Sequence, residues 1–258
     1  MFKPKEDKDD STKVQTEPPK ALLLACRQIV DCLIENVLRL EETNDGSGSS
    51  QRLVACLTTL YLFAKIRPQL LVKHASTLQP YLGLKCQSNG DIQIISSVAK
   101  MLELVVPLMD HPSDSFLAQL EEDAMKLVLQ ADRPIVSSCL SCLGSIINKV
   151  TRNFQLIRDC FKRYNDYMIR FKGWLETENV KFISNTKYRQ YFRRALFCIG
   201  LLLRYFDFKD PDVIGDLPVS RLKSFRKNIY RVFVVGYQRS GLSVHDVLFA
   251  KGRFRYSS

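Results

Sequence analysis

Apolar residues recur along most of this chain at the three- and four-residue spacing of amphipathic helices. Between residues 21 and 40, one such stripe consists of Leu22, Ala25, Ile29, Cys32, Leu33, Val37 and Leu40. Helical patterns follow one another almost to the end, and no segment has the alternating, β-branched pattern of a strand. Loops are predicted at residues 44–50, 83–90, 111–112, 131–134, 173–185 and 210–218. The pattern therefore predicts an all-α protein.

Parts of the chain repeat at an offset of about 41 residues. At this offset Ile94-Ile95-Ser96-Ser97 falls on Ile135-Val136-Ser137-Ser138, and Asp91 falls on Asp132. A period of this size is typical of HEAT and armadillo repeats, in which helical hairpins stack because one hairpin cannot bury its own apolar stripe. We therefore predict an α-solenoid of HEAT/armadillo-type helical hairpins. A globular helical bundle, the alternative, explains the stripes but not the matching positions.

The stripes also predict which side chains form the core. The helix that follows Asp91 should bury Ile95, Val98, Ala99, Leu102, Val106 and Met109. The helix that follows Asp132 should bury Val136, Cys139, Leu140, Leu143, Ile147 and Val150. Other helices are predicted at residues 68–82 and 113–130. Ser113 and Asp132 have the side chains expected of N-cap residues.

Charge divides the chain unevenly. Residues 1–150 carry 16 Lys and Arg against 18 Asp and Glu, whereas residues 151–258 carry 22 against 9. Within the second part, residues 217–258 hold nine basic residues and one acidic residue. We expect a disordered charged lead-in at residues 1–20, a HEAT-repeat segment at 21–216 and a basic C-terminal tail at 217–258. The basic excess should attract polyanions, among them nucleic acid.

The residues offer no constellation that indicates catalysis. There is no phosphate-binding Gly-x-x-x-x-Gly-Lys loop, and none of the three histidines has a second metal ligand three or four residues further along the same predicted helix. Cys139 and Cys142 form a Cys-x-x-Cys motif without the second pair that a zinc site needs, so they are predicted to be core residues. The charged start of the chain resembles no export signal, and no apolar run is long enough to span a membrane. We predict a non-enzyme without cofactor, metal or small-molecule substrate.

Two predicted helices combine basic and aromatic residues. On the first, residues 152–172, Arg152, Arg163 and Arg170 should share one edge because spacings of 11 and 18 close on whole turns. On the second, residues 187–206, an inner aromatic stripe is flanked by Lys187, Arg189, Arg193 and Arg194. One interpretation is a basic ridge that binds nucleic-acid phosphates through all seven residues. The alternative is a solvated face whose arginine stems cover the aromatic rings.

Four runs of sequence resemble a known family. They are LTTLYLFAKIRPQLLVKHASTLQPYL (57–82), MLELVVPLMDHPSDSFLAQLEEDAMKLV (101–128), RPIVSSCLSCLGSIINKVT (133–151) and RRALFCIGLLLRYFDF (193–208). Together they resemble the HEAT-repeat region of the Nipped-B-like cohesin loaders, and the likeness covers about residues 1–216. Members of that family are far larger, so we expect a fragment or a short isoform, with residues from about 217 onward departing from the family pattern.

The resemblance implies a nuclear, chromatin-associated solenoid without a catalytic site. Such a loader places the cohesin ring on DNA, stimulates the ATPase of cohesin, and contacts both cohesin ring subunits and DNA. Its roles are sister-chromatid cohesion and gene regulation. A HEAT/armadillo adaptor for nuclear transport or ribonucleoprotein assembly is the alternative function.

Overall fold

A computed structural model describes residues 19–42, 46–177 and 185–217 of the chain. The described parts contain helices and no strand, which confirms the predicted all-α class. The α-helices are α1 (Lys20–Glu42), α2 (Gly46–Ile66), α3 (Ala75–Leu78), α4 (Asn89–Val105), α5 (Asp114–Gln130), α6 (Arg133–Ile146), α7 (Phe154–Glu176), α8 (Thr186–Tyr205) and α9 (Pro211–Ile214). Three 3₁₀ segments (Pro68–His74, Gln79–Gly83 and Val106–Leu108) and a π turn (Ile147–Thr151) complete the described elements.

The helices form two rows, and each hairpin contributes one helical element to each row. In one row α2, α4, α6 and α8 lie side by side, each in contact with the next. The other row holds α1, the segment at residues 68–83, α5 and α7, and each member packs against its partner in the first row. This stack of hairpins is the predicted α-solenoid. The repeat period of about 41 residues and the domain boundaries stay predictions, and the lead-in and tail lie largely outside the described residues.

The apolar core lies between the two rows, where the stripes place it. Of the twelve side chains predicted for the helices after Asp91 and Asp132, ten are buried. Met109 and Val150 are only half-buried. Both follow a change of helix type, a 3₁₀ turn before Met109 and the π turn at Val150. Because these turns do not advance 100° per residue, they rotate the side chains away from the stripe.

Local side-chain hydrogen bonds set several helix starts. Ser88 and Asp91 form a capping box at the start of α4, in which Ser88 N–H donates to Asp91 Oδ2 over 2.7 Å. Ser113 is confirmed as the N-cap of α5, because its hydroxyl accepts a hydrogen bond from Phe116 N–H. Asp132 does occupy the N-cap position of α6, but its side chain makes no capping hydrogen bond.

Several predicted boundaries are wrong. The helix α7 extends to Glu176, into the predicted loop at 173–185, and α9 lies within the predicted loop at 210–218. Residues 68–82 do not form one helix, because 3₁₀ segments at Pro68–His74 and Gln79–Gly83 lie on either side of α3. Pro80, in the second segment, lacks the N–H group that a continuous helix would need there. The predicted loop at 44–50 is helical from Gly46 onward. There α2 packs against the start of α4 so closely that a Cβ on Gly90 would lie 3.0 Å from Ser50 Oγ. Tertiary packing thus extends the helix through residues of low helix propensity.

Candidate nucleic-acid interface

Aromatic packing holds α7 and α8 together as an antiparallel pair. The rings of Phe171 and Phe192 stack with centroids 4.0 Å apart, and those of Phe161 and Phe208 lie 5.0 Å apart. Phe171, late in α7, contacts Phe192, early in α8, whereas Phe161, early in α7, contacts Phe208, which follows α8. The two helices therefore run in opposite directions. The inner aromatic stripe that was predicted for α8 is largely buried, with Tyr188 half-buried. This hairpin therefore has a fixed outer surface.

A second aromatic pair lies on that outer surface. Tyr167 of α7 and Tyr191 of α8 stack with centroids 6.0 Å apart and planes 9° from parallel. Their exposed fractions are 37% and 43%, so each ring keeps a large part of its surface in water. Because the two tyrosine rings are exposed, they can contact a ligand, whereas the buried phenylalanine rings cannot.

Three of the seven predicted basic residues surround this tyrosine pair. Arg163 and Arg170 lie four residues before and three residues after Tyr167, and Lys187 lies four residues before Tyr191. Residues at these spacings are neighbours on a helix surface. We call this set of five residues the basic–aromatic face; its members are Arg163, Tyr167, Arg170, Lys187 and Tyr191.

The basic–aromatic face carries positive charge that the described part of the chain does not neutralise by ion pairing. Its three basic side chains are exposed, and none forms an ion pair with a described carboxylate. Asp166, one turn from both Arg163 and Arg170, borders the face and reduces its formal charge to +2. Sequence reasoning missed the tyrosines, although the matching motifs RYNDY (163–167) and KYRQY (187–191) place a tyrosine one turn after each basic residue.

Arg152 does not belong to this edge, and the helical register predicted for it is wrong. Arg152 precedes α7 and has a left-handed backbone with φ of 56°, where the chain reverses direction after the π turn. Its guanidinium donates to Asn148 O over 3.2 Å and pairs with Asp212 over 3.1 Å. It also lies 4.7 Å above the ring of Phe154. These contacts link the turn to α9.

Acidic residues around α9 neutralise the beginning of α7. Asp216 lies 2.9 Å from Lys162 Nζ and 3.5 Å from Arg158 Nε, and Arg158 also donates to Asp212 O over 2.9 Å. The hydrogen bond from Lys162 is the main reason that the pKa of Asp216 lies below its ordinary value. Basic charge at this end of α7 therefore has intramolecular partners.

The three predicted arginines of α8 also have contacts within the protein. Arg194 donates from Nη2 to Val128 O over 3.1 Å and from Nη1 to Gln130 O over 3.3 Å, so it caps the carboxyl end of α5. The hydroxyl of Tyr164 donates to the same Val128 carbonyl over 2.9 Å. Arg189 and Arg193 are half-buried and have contacts of their own. Four of the seven predicted residues thus have structural contacts.

The cysteine motif lies in the core, as predicted. Cys139 and Cys142 are buried in α6, and burial raises the pKa of the Cys139 thiol to about 12. Burial also raises the pKa of Cys142 well above its ordinary value, so both thiols stay protonated at neutral pH. Within residues 19–42, 46–177 and 185–217, no cluster of three or more His, Cys, Asp or Glu is placed to hold a metal ion.

One polar cluster has no counterpart in the sequence predictions. His74 Nε2 lies 2.9 Å from Asp31 Oδ1, and Lys73 Nζ lies 2.8 Å from the same oxygen. The cluster joins α1 to the first 3₁₀ segment. Over the same described ranges, no helix combines the length and apolar character that crossing a bilayer requires.

The sequence is similar to segments of several very long proteins. It is 47% identical over 207 residues to the Nipped-B-like protein of Homo sapiens, a match that covers 78% of this chain and 7% of the relative. It is 43% identical over 231 residues to the Nipped-B protein of Drosophila melanogaster, covering 85% and 11% respectively. The Nipped-B-like protein scc-2 of Caenorhabditis elegans is 29% identical over 245 residues, covering 90% and 11%. No family model matches the chain.

Proposed function

Because the chain belongs to the Nipped-B-like cohesin loader family and matches about a tenth or less of each relative's length, we propose that it is a non-enzymatic scaffold segment of a cohesin loader. In this role it contacts the cohesin ring and DNA, and it promotes loading of cohesin onto chromatin in the nucleus. The loading serves sister-chromatid cohesion and gene regulation. The observation that carries the DNA part of the proposal is the basic–aromatic face.

The chemistry of that face suits a phosphate backbone. Arg163, Arg170 and Lys187 present exposed cations, and binding to phosphates would release the counterions condensed on DNA. The hydroxyl groups of Tyr167 and Tyr191 add donors of the kind that position proteins on the backbone. Side chains on two packed helices are held in place more rigidly than side chains on a loop. The result would be a small contact without sequence preference, because phosphate contacts carry no direct sequence information.

The contact with cohesin is proposed from the family alone. A stack of hairpins exposes long continuous surfaces, which solenoids use to bind extended partners. Such a surface needs no catalytic group, in keeping with the absence of a predicted active site.

The DNA proposal is tested with two charge-reversal variants of the full chain. The first combines Arg163→Glu, Arg170→Glu and Lys187→Glu; the matched control combines Arg52→Glu, Lys85→Glu and Lys126→Glu, three exposed residues elsewhere on the solenoid. Because both variants have the same net charge and keep the basic tail, they differ only in where the charge is reversed. Fluorescence anisotropy with a labelled duplex measures affinity between 50 and 200 mM salt.

We expect the first variant to bind DNA less tightly and with a weaker salt dependence. Three lost phosphate contacts reduce the slope of log K against log salt by about 2.7, which corresponds to about 40-fold over this salt range. The control should keep the slope of the unaltered chain. Equal losses in both variants would mean that net charge, and not the basic–aromatic face, governs binding.

The cohesin contact is tested separately by co-sedimentation of the chain with purified cohesin ring subunits. Binding of these subunits supports the loader role. Capture of transport cargo or ribonucleoprotein in their place would favour the adaptor function. The result does not depend on the DNA measurement.

A further inference from the structure

A groove lies at the first hairpin, where α1 passes the turn between α2 and the 3₁₀ segment that begins at Pro68. Its volume is about 390 Å³. The lining residues are Leu23, Arg27, Ile66, Arg67, Gln69 and Leu70. The groove is far from the basic–aromatic face in the order of hairpins, since it belongs to the first pair of helices and the face to the last.

The apolar part of the groove is open to solvent. Ile66, the last residue of α2, has 80% of its surface exposed, the highest value among the large apolar side chains that the structure describes as exposed. Leu23 is half-buried and Leu70 is buried. Together with Ile66 they form an apolar surface that continues from solvent into the core. An apolar side chain of a ligand that covered Ile66 would remove apolar surface from water on both partners.

Two arginines, Arg27 and Arg67, flank these three apolar side chains. Neither Arg27 nor Arg67 forms an ion pair with any acidic side chain that the structure describes. Asp31, one turn along α1 from Arg27, is already held by Lys73 at 2.8 Å and His74 at 2.9 Å. Among the described residues, therefore, no carboxylate forms an ion pair with either guanidinium group of the groove. Guanidinium groups bind carboxylates with two parallel hydrogen bonds, which favours an acidic ligand.

We infer that this groove docks a short acidic peptide segment of another protein, anchored by one bulky apolar side chain. The apolar side chain lies against Leu23, Ile66 and Leu70, and flanking carboxylates pair with Arg27 and Arg67. A nucleic acid fits less well, because its phosphates would gain nothing from the exposed apolar side chain of Ile66. The inference is independent of the proposed DNA contact.

The test measures binding of a labelled peptide, Gly-Asp-Glu-Phe-Leu-Asp-Glu-Gly, to the full chain by fluorescence polarisation. Two comparison peptides separate the contributions: one replaces Phe-Leu with Ser-Ser, and the other replaces the four acidic residues with lysine. On the protein, Arg27→Glu with Arg67→Glu removes the charge complementarity, and Ile66→Ser removes the apolar anchor. The matched control is Arg52→Glu with Lys85→Glu, and circular dichroism verifies that every variant is folded.

We expect saturable binding of the first peptide, and at least about tenfold weaker binding by the double arginine variant. Ile66→Ser should weaken binding about fivefold, and the control less than about twofold. The inference is overturned if the first peptide does not bind, if the Ser-Ser peptide binds equally well, or if the control loses as much affinity as the double arginine variant. Displacement of the peptide by duplex DNA would assign the groove to nucleic acid. A dimer that Ile66→Ser dissociates would assign it to a second copy of the chain.

Discussion

Arg194 of α8 reaches the carboxyl end of α5, and replacing it with methionine tests how much this contact stabilises the solenoid. The guanidinium caps the carbonyls of Val128 and Gln130, the last turn of α5. Methionine keeps an apolar stem of similar length in the helix, so the change removes the charged donors with little loss of packing.

The expected cost follows from the geometry. A hydrogen bond from a charged donor contributes about 1.5–3 kcal/mol, and the distances of 3.1 and 3.3 Å place both bonds at the weaker end. Both carbonyls lose the Arg194 donor. The Val128 carbonyl still accepts from the hydroxyl of Tyr164 at 2.9 Å, whereas the Gln130 carbonyl is left without a side-chain donor. A positive charge at a helix carboxyl end adds about 0.3–1 kcal/mol. We therefore expect Arg194→Met to lower the free energy of unfolding by about 2 kcal/mol.

Urea unfolding followed by far-UV circular dichroism measures this change, with an unchanged m-value as the sign that only stability has shifted. The matched control is Arg163→Met on the exposed edge of α7, which should stay within about 0.5 kcal/mol of the unaltered chain. Because Arg194 and Tyr164 share one carbonyl, adding Tyr164→Phe should cost more than the sum of the two single changes. A loss below about 0.5 kcal/mol for Arg194→Met, or an equal loss for Arg163→Met, would refute the capping role.

Two further changes probe the packing and the electrostatics of the fold. Gly144→Ala should lower the free energy of unfolding by about 1–3 kcal/mol, because the new Cβ would lie 2.9 Å from Tyr205 Cβ. Thermal unfolding measures this change. An increase in stability of about 1 kcal/mol, which helix propensity alone predicts, would contradict this packing. Hydrogen bonds from Lys73 and His74 lower the pKa of Asp31, so the ionised carboxylate stabilises the fold above the unfolded pKa of 3.8 and loses this effect as pH falls through the folded pKa. The stability difference between the unaltered chain and Asp31→Asn should therefore be largest near neutral pH and shrink below about pH 4, whereas a difference that does not change with pH would exclude the carboxylate as its source.

The helices and their buried faces could be predicted because they depend on local periodicity. The buried positions of Val98 and Leu102 on α4, and of Val136 on α6, follow from the 3.6-residue repeat alone. The N-cap at Ser113 depends only on a backbone N–H group three residues further on. The same reasoning failed where a change of helix type altered the rotation per residue, as it does before Met109.

The contacts of the basic residues could not be predicted, because the sequence alone does not show which distant residues lie close to each side chain in the fold. Arg194 binds carbonyls that lie 64 and 66 residues earlier in the chain, and Arg152 pairs with a carboxylate 60 residues later. Spacing along one helix could not separate these arginines from Arg163 and Arg170, which remain on the surface. The tyrosine pair needed the packing of two helices, although each helix carries the motif that produces it.

The two-row stack has a mechanical consequence. Among the described helices, each hairpin packs mainly against the hairpins beside it, so the cohesive energy is distributed along one axis. A pulling force applied along the stack would act on every interface equally, and the chain would lengthen first at its weakest interface. A segment of this kind therefore behaves as an extensible element whose compliance is distributed over its length.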